Sequence, residues 1–425
     1  MRLRYSVVTF GCRVNQADSL RIEQDLRARG AVESPAAEAD VVVVNTCSVT
    51  ASADQGARQT IRRISRDNPS ARIVVTGCYA TRAAADLAPL PNVVRVVSNP
   101  DKSALAGAAF DAMPEMSTAE RFAGADGPCG APIAPGLAGR TAFTIRVQTG
   151  CDERCAYCII PTTRGPGRSL SIEAVVSEVE RVAASGFREV AITGVHLGSY
   201  GRDLQPAASL LDLLRALDRT AGDVVFRVSS LEPMDCSPEI VALIAGSGGR
   251  FAPHFHLPLQ HASDPMLARM RRPYTLEVYR RLVDGIIAVL PHAAIGSDMI
   301  VGFPGETDRD FAANERYLPT SPLSHLHVFP YSDRPGTEAS SMAGRVPAPA
   351  IRDRGARLRQ LGAELAHRFK SRQVGTARPG LTLEDGTLVV TDNYLKVRVP
   401  PGHARNERVS VRIDAAGGSV AGTIV

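Results

Sequence analysis

Cys151, Cys155 and Cys158 stand four and three residues apart in Gly150-Cys-Asp-Glu-Arg-Cys-Ala-Tyr-Cys158, just after a strand-like run. On a short loop, that spacing lets three thiolates converge on one small object. A closed structural zinc site takes four ligands. A 4Fe-4S cluster held by three cysteines instead keeps one iron free for a further molecule. A zinc knuckle with a distant fourth ligand is the competing reading of this motif alone.

A second set is scattered through the first eighty residues. Cys12, Cys47 and Cys78 each come just after a strand-like run. In an open parallel sheet such strand ends share one edge, where ligands bind, so the three meet if their strands are neighbours. Gly11, Thr46 and Gly77 beside them would let the backbone approach a bulky group. The plainer alternative is three buried cysteines acting as small hydrophobes. Cys129 and Cys236, in a linker and an ordinary loop, read as non-ligands. His196, His254, His256 and His261 read as hydrogen-bonded pocket residues rather than metal ligands.

The elements that must position these residues fall into three parts, an α/β fold overall. Residues 7–10, 41–44 and 73–76 are β-branched runs without alternation, as buried parallel strands require. Helical segments at 17–29 and 53–66 separate them, which argues for right-handed βαβ units in an open parallel sheet. A stretch rich in Ala, Gly, Pro and Met, residues 113–138, is expected to link this domain (1–112) to the next (139–370). There, strand-like runs at 143–147, 189–193, 224–229, 255–257, 295–300 and 325–329 alternate with helices. That pattern predicts a partial parallel (β/α)6 barrel with its chemistry on the loops at the strands' C-terminal ends. An arginine-rich helix follows at 351–372. Short alternating runs at 395–399, 409–413 and 420–425 then predict a small antiparallel β-barrel in residues 371–425.

Composition excludes little but is consistent. The chain has 425 residues, 44% hydrophobic and 22% charged, as soluble globular proteins do. No run nears the roughly 18 apolar residues of a membrane span. The basic N-terminus passes straight into a strand without a cleavable apolar region, so a cytoplasmic protein with no membrane partner is expected. In a reducing compartment, eight cysteines point to metal ligation rather than disulfides. A net charge of +5 permits a nucleic-acid partner without demanding one.

The Cys151–Cys158 spacing resembles the signature of radical S-adenosylmethionine enzymes. Thr9-Phe-Gly-Cys-Arg-Val-Asn-Gln16, Asn45-Thr-Cys-Ser-Val-Thr50 and Val75-Thr-Gly-Cys-Tyr-Ala80 resemble the three cysteine motifs of the methylthiotransferases within that superfamily. The resemblance covers nearly the whole chain and implies two 4Fe-4S clusters. Cys12, Cys47 and Cys78 would hold the auxiliary one; Cys151, Cys155 and Cys158 would hold the one that works with S-adenosylmethionine. It further implies that Tyr157, Gly194, His196, Ser229, Glu232, Gln260 and Phe329 lie along the adenosylmethionine-binding strands. Arg164 and Arg168 are placed to face an anionic substrate or carboxylate.

The family uses S-adenosylmethionine twice, as methyl donor to sulfur and as source of a radical that takes hydrogen from an unactivated carbon. An electron donor such as flavodoxin or ferredoxin and a source of sulfur are implied as partners. The three cysteine motifs resemble the branch that methylthiolates threonylcarbamoyladenosine at tRNA position 37. Leu259-Gln-His-Ala-Ser-Asp264 is spelled more like the branch acting on a ribosomal-protein aspartate. Isopentenyladenosine in tRNA is the third known substrate, and a non-catalytic cluster-bearing RNA-binding module is the reading from another class. Residues 386–425 resemble the TRAM-like RNA-binding barrel of the family. Tyr394, Lys396 and Arg398 on it, next to the basic helix, are expected to stack a base and bind phosphates.

Overall fold

The computed structural model describes residues 2–111, 135 and 141–425, so the proposed linker and Cys129 lie outside the described residues. Strands β1 (Arg4–Thr9), β2 (Val32–Glu33), β3 (Val41–Thr46), β4 (Arg72–Gly77) and β5 (Val93–Val97) form a parallel sheet ordered β2-β1-β3-β4-β5. The valine run of β3 lacks alternation because both of its faces are covered. Val41 and Val43 pack with Ile22 and Leu26 of helix Arg13–Ala28, while Val42 and Val44 meet Ile61 and Ile64 of helix Ala51–Asp67. The first helix starts four residues earlier than its sequence pattern suggests. Cys12 is its N-cap and makes no side-chain cap hydrogen bond, so no Ser, Thr, Asp or Asn marks the start. The edge strands β2, with both residues exposed, and β5, Val93-Val-Arg-Val-Val97, were not among the expected strands.

The central part contains the six expected parallel strands: β6 (Phe143–Arg146), β9 (Glu189–Thr193), β10 (Val225–Val228), β11 (His254–His256), β12 (Ala294–Val301) and β13 (His325–Pro330). They form two three-stranded sheets, β10-β9-β6 and β11-β12-β13, joined by a bridge between Phe226 and Phe251. Phe143, Ile145, Val190 and Ile192 point outward into the apolar layer shared with the helices. The alternate positions, Thr144, Arg146, Glu189, Ala191 and Arg227, therefore turn to the barrel's inner side. A small antiparallel pair, β7 (Gln148–Thr149) with β8 (Arg168–Ser169), closes the base of the loop that carries Cys151, Cys155 and Cys158.

Five strands, β14 (Ala377–Leu383), β15 (Leu388–Thr391), β16 (Lys396–Arg398), β17 (Arg408–Ala416) and β18 (Val420–Ile424), make the C-terminal closed barrel. Its pairs are antiparallel except β16 with β18, whose parallel pairing completes the closure. Helix Ala348–Gln373 precedes it. Leu358, Leu361 and Leu365 enter the central core and Phe369 the barrel core. Part of its charge is used at home. Arg354 pairs with Glu306 and Asp308, Arg357 with Glu315, and Arg368 donates to the carbonyls of Pro319 and Ser321. Fewer of its arginines are left for phosphates than their number implied. Among the described residues, no helix is long and apolar enough to cross a membrane.

Candidate active site

Cys12, Cys47 and Cys78 follow β1, β3 and β4, which are neighbours, so the topology meets the condition for convergence at one sheet edge. Cys12 is exposed and the other two are buried. Gly11 adopts φ +90°, and a Cβ there would stand 2.6 Å from the Cβ of Cys47 and 2.7 Å from its Sγ. Only glycine lets the chain entering Cys12 pass so close to Cys47. Asn99 approaches Cys78 Sγ at 3.7 Å. Burial pushes the Cys47 thiol up to about 11, and Cys12 and Cys78 push it the same way, so the three groups sense one another. Metal ligation at this edge must therefore expel protons.

The second triad is held by its loop. Gly150 has φ +76°, and a Cβ there would lie 1.8 Å from the carbonyl oxygen of Pro166. Ala156 N donates to Met270 O at 3.1 Å, and Cys151 N to Gly165 O at 3.1 Å. Arg272 reaches Cys155 Sγ at 3.3 Å, pairs with Glu232, and donates to the Tyr274 hydroxyl at 2.9 Å. Burial pushes Cys158 up to about 12. Gly150→Ala combines a backbone clash with a strained φ, which by itself costs about 1–3 kcal/mol. The expected result is a folded chain that keeps the N-terminal cluster but binds only about half of its iron. Full iron content in that variant would contradict this placement of the loop.

The adenosylmethionine candidates gather only in part. His196 is buried, with Nδ1 3.9 Å from Cys151 Sγ and Nε2 2.7 Å from Asp235. Burial opposes charge on this imidazole, but the hydrogen bonds to Asp235 and Cys151 raise it to about 10. Gln148 Oε1 accepts from the backbone N–H of Val195 and His196, and packs under Gly194. Tyr157 sits edge-on to Phe303 at 6.4 Å. Glu232 is engaged by Arg272, whereas Ser229 Oγ is buried with no hydrogen-bond partner among the described residues. Gln260 holds φ +69° and bridges to Met299 by its backbone. Phe329 on β13 is half-exposed beside His327. Arg272, Asp235 and Gln148 were missed because each acts through a partner distant in sequence. Cys236 packs in the apolar core at 3% exposure, in keeping with a non-ligand.

Arg164 faces a carboxylate, as expected, but one that belongs to the chain itself. It is 3% exposed rather than facing solvent, and it reaches Asn15 at 2.6 Å and Asp18 at 3.2 Å in the N-terminal part. Burial works against its charge, but Cys78, Asp18 and Cys12 raise its pKa. Cys158 lies six residues before it in the chain, so the segment that follows the radical triad carries a buried guanidinium into the surroundings of Cys12 and Cys78. Asp18 also pairs with Lys102 at 2.7 Å and with Arg146. Three cations around one carboxylate leave excess positive charge close to the N-terminal triad. Arg168 is exposed.

The donors suit a cluster better than a single ion. Among the described residues, only His256, Asp298 and His327 bring three ligand-type atoms within 4.8 Å of one another. Sulfurs on one tetrahedral zinc, with bonds near 2.3 Å, would stand about 3.8 Å apart. The histidine group is hydrogen-bonded instead: His256 Nε2 and His327 Nδ1 lie 3.0 Å and 3.1 Å from the same Asp298 oxygen. His261 likewise bonds Glu306 and Asn314. When bound, a 4Fe-4S cluster with S-adenosylmethionine would supply one-electron chemistry at the loop, where Cys151, Cys155 and Cys158 would hold it.

A six-stranded partial barrel with three cysteines on the loop after its first strand defines a radical S-adenosylmethionine enzyme, here carrying a second cysteine triad on a separate sheet. Residues 145–318 match the radical SAM superfamily, and residues 4–98 match the family described as "Uncharacterized protein family UPF0004". The threonylcarbamoyladenosine tRNA methylthiotransferase MtaB of Aquifex aeolicus is 35% identical over 93% of this chain and 96% of its own length. A tRNA-2-methylthio-N(6)-dimethylallyladenosine synthase of Parafrankia sp. is 34% identical over 87% of this chain and 76% of its own. In fold, the chain is similar to the radical S-adenosylmethionine methyltransferase TsrM of Kitasatospora setae. The TM-score is 0.55 at 17% identity, over 80% of this chain and 77% of that one. The chain belongs to the MtaB-type radical S-adenosylmethionine methylthiotransferases, whose cofactors are S-adenosylmethionine and 4Fe-4S clusters.

Proposed function

We propose that this protein adds a methylthio group to C2 of N(6)-threonylcarbamoyladenosine at position 37 of tRNA. The observation that carries the reading is Arg164, which follows the radical triad in sequence and reaches the environment of the N-terminal triad in space. Two cysteine triads, one shortly before Arg164 in sequence and the other beside it in space, suit a division of labour. Sulfur chemistry would proceed at Cys12, Cys47 and Cys78, and carbon activation at Cys151, Cys155 and Cys158. The similarity to MtaB proteins over nearly the full length supports threonylcarbamoyladenosine over the dimethylallyl substrate. Electrons would come from flavodoxin or ferredoxin, sulfur from a separate donor, and the reaction would run in the cytoplasm.

Chain residues do the positioning. Gln148 orients the backbone of 195–196, Asp235 fixes His196, and Arg272 anchors Cys155 against Glu232. The test is mass spectrometry of tRNA nucleosides from a strain lacking the gene. Loss of the 2-methylthio form with accumulation of threonylcarbamoyladenosine is expected. Unchanged levels, or loss of the methylthiolated isopentenyl nucleoside instead, would refute the substrate.

A further inference from the structure

A cavity of about 440 Å³ opens where all three parts of the chain meet. Arg13 and Gln16, in the first turn after Cys12, line one side, and Glu189 and Ala191 on the barrel's inner face line another. Tyr394 and Lys396 of the C-terminal barrel complete it. The volume lies in the range that encloses a nucleoside-sized ligand.

Tyr394, expected to stack an RNA base, is 41% exposed and held from several sides. It sits at φ +67°, with its ring 4.6 Å from that of His254 and 4.9 Å from the Arg227 guanidinium. Its hydroxyl accepts from Arg13 at 2.8 Å. A non-glycine residue in that backbone region persists only where its surroundings over-determine it. Tyr394 is thus a fixed wall of the cavity.

The charges leave a clear surplus. Both oxygens of Glu189 are taken by Arg227, each at 3.1 Å, so the one carboxylate of the lining is neutralised. Among the described residues, Arg13 and Lys396 have no carboxylate partner, and the other lining groups are neutral or apolar. Two uncompensated cations over an apolar floor fit an anionic substituent on a flat, apolar body. A dimethylallyl group would gain nothing from them. A threonylcarbamoyl group carries a free carboxylate, because threonine is joined through its nitrogen.

Resting on the substrate reading above, we infer that Arg13 and Lys396 are specificity-determining residues that bind the carboxylate of the threonylcarbamoyl group in this cavity. The test uses reconstituted full-length protein and three anticodon stem-loop RNAs. One carries threonylcarbamoyladenosine, one its methyl ester and one plain adenosine. Wild type should bind the acid at least about tenfold more tightly than the ester, as a charge-assisted contact implies. In the Arg13→Gln, Lys396→Gln double variant the two should bind within about twofold of each other, and Arg13→Lys should keep the preference.

Iron content and melting temperature check that the variants fold. Should the double variant not fold, Lys396→Gln alone, at an exposed position, must still reduce the preference. Equal binding of acid and ester by wild type would overturn the inference. So would equal weakening of all three RNAs in the variants, which marks phosphate contacts instead. Failure of the parent reading looks different: wild type would then methylthiolate an isopentenyladenosine stem-loop and not the threonylcarbamoyl one.

Discussion

Cys155→Ala is expected to abolish reductive cleavage of S-adenosylmethionine and to leave only about four irons bound of about eight. Cys47→Ala should lose a similar share of iron, yet still release 5′-deoxyadenosine when reduced, and form no methylthio product. The contrast follows from geometry. Cys155 lies on the loop closed by β7 and β8 and is anchored by Arg272 at 3.3 Å, whereas Cys47 ends β3 in a separate sheet with its own core. Iron and sulfide assays with chromatography of 5′-deoxyadenosine check both variants. Loss of cleavage in Cys47→Ala, or its survival in Cys155→Ala, would reverse the assignment of the triads.

Asp18→Asn carries the second large effect. The Asp18 side chain is 1% exposed and meets Lys102, Arg146 and Arg164, which come from both parts of the chain. Removing one partner of a buried ion group costs about 3–5 kcal/mol, because the charges left behind stay desolvated. Here, among the described residues, three cations lose their only carboxylate, and the contact between the N-terminal sheet and the barrel is weakened. The midpoint of urea unfolding should fall accordingly, measured without oxygen on reconstituted protein.

Acid sensitivity gives the same group a second readout. Burial alone would raise the Asp18 carboxyl from its ordinary 3.8, but Lys102, Arg164 and Arg146 bring it down to about 2. A depressed carboxyl stabilises the fold above its unfolded value, and that contribution is lost as pH falls from about 4 towards 2. Wild type should lose stability through that window more steeply than Asp18→Asn. Parallel curves would remove Asp18 from the account.

Much of the frame was legible because it rests on local pattern. Val41 to Val44 without alternation could only be a strand covered on both faces, and helices were marked by Thr50, Ser171, Ser209 and Thr307, each of which caps one. Other elements went unread. Examples are β14 and β15 of the C-terminal barrel, the edge strands β2 and β5, and the start of the first helix at Cys12.

The sequence by itself determined which thiols could act: six cysteines, three by their spacing and three by their places after strands, since ligand type and strand ends are local properties. Tertiary structure alone decided what surrounds them. Arg164 turned inward to Asp18, Glu232 went to Arg272, and the Tyr394 hydroxyl met Arg13 of the N-terminal helix. Each is a contact between residues tens to hundreds of positions apart. A buried charge is stable only beside its partner, and which partner that is depends on how the domains pack.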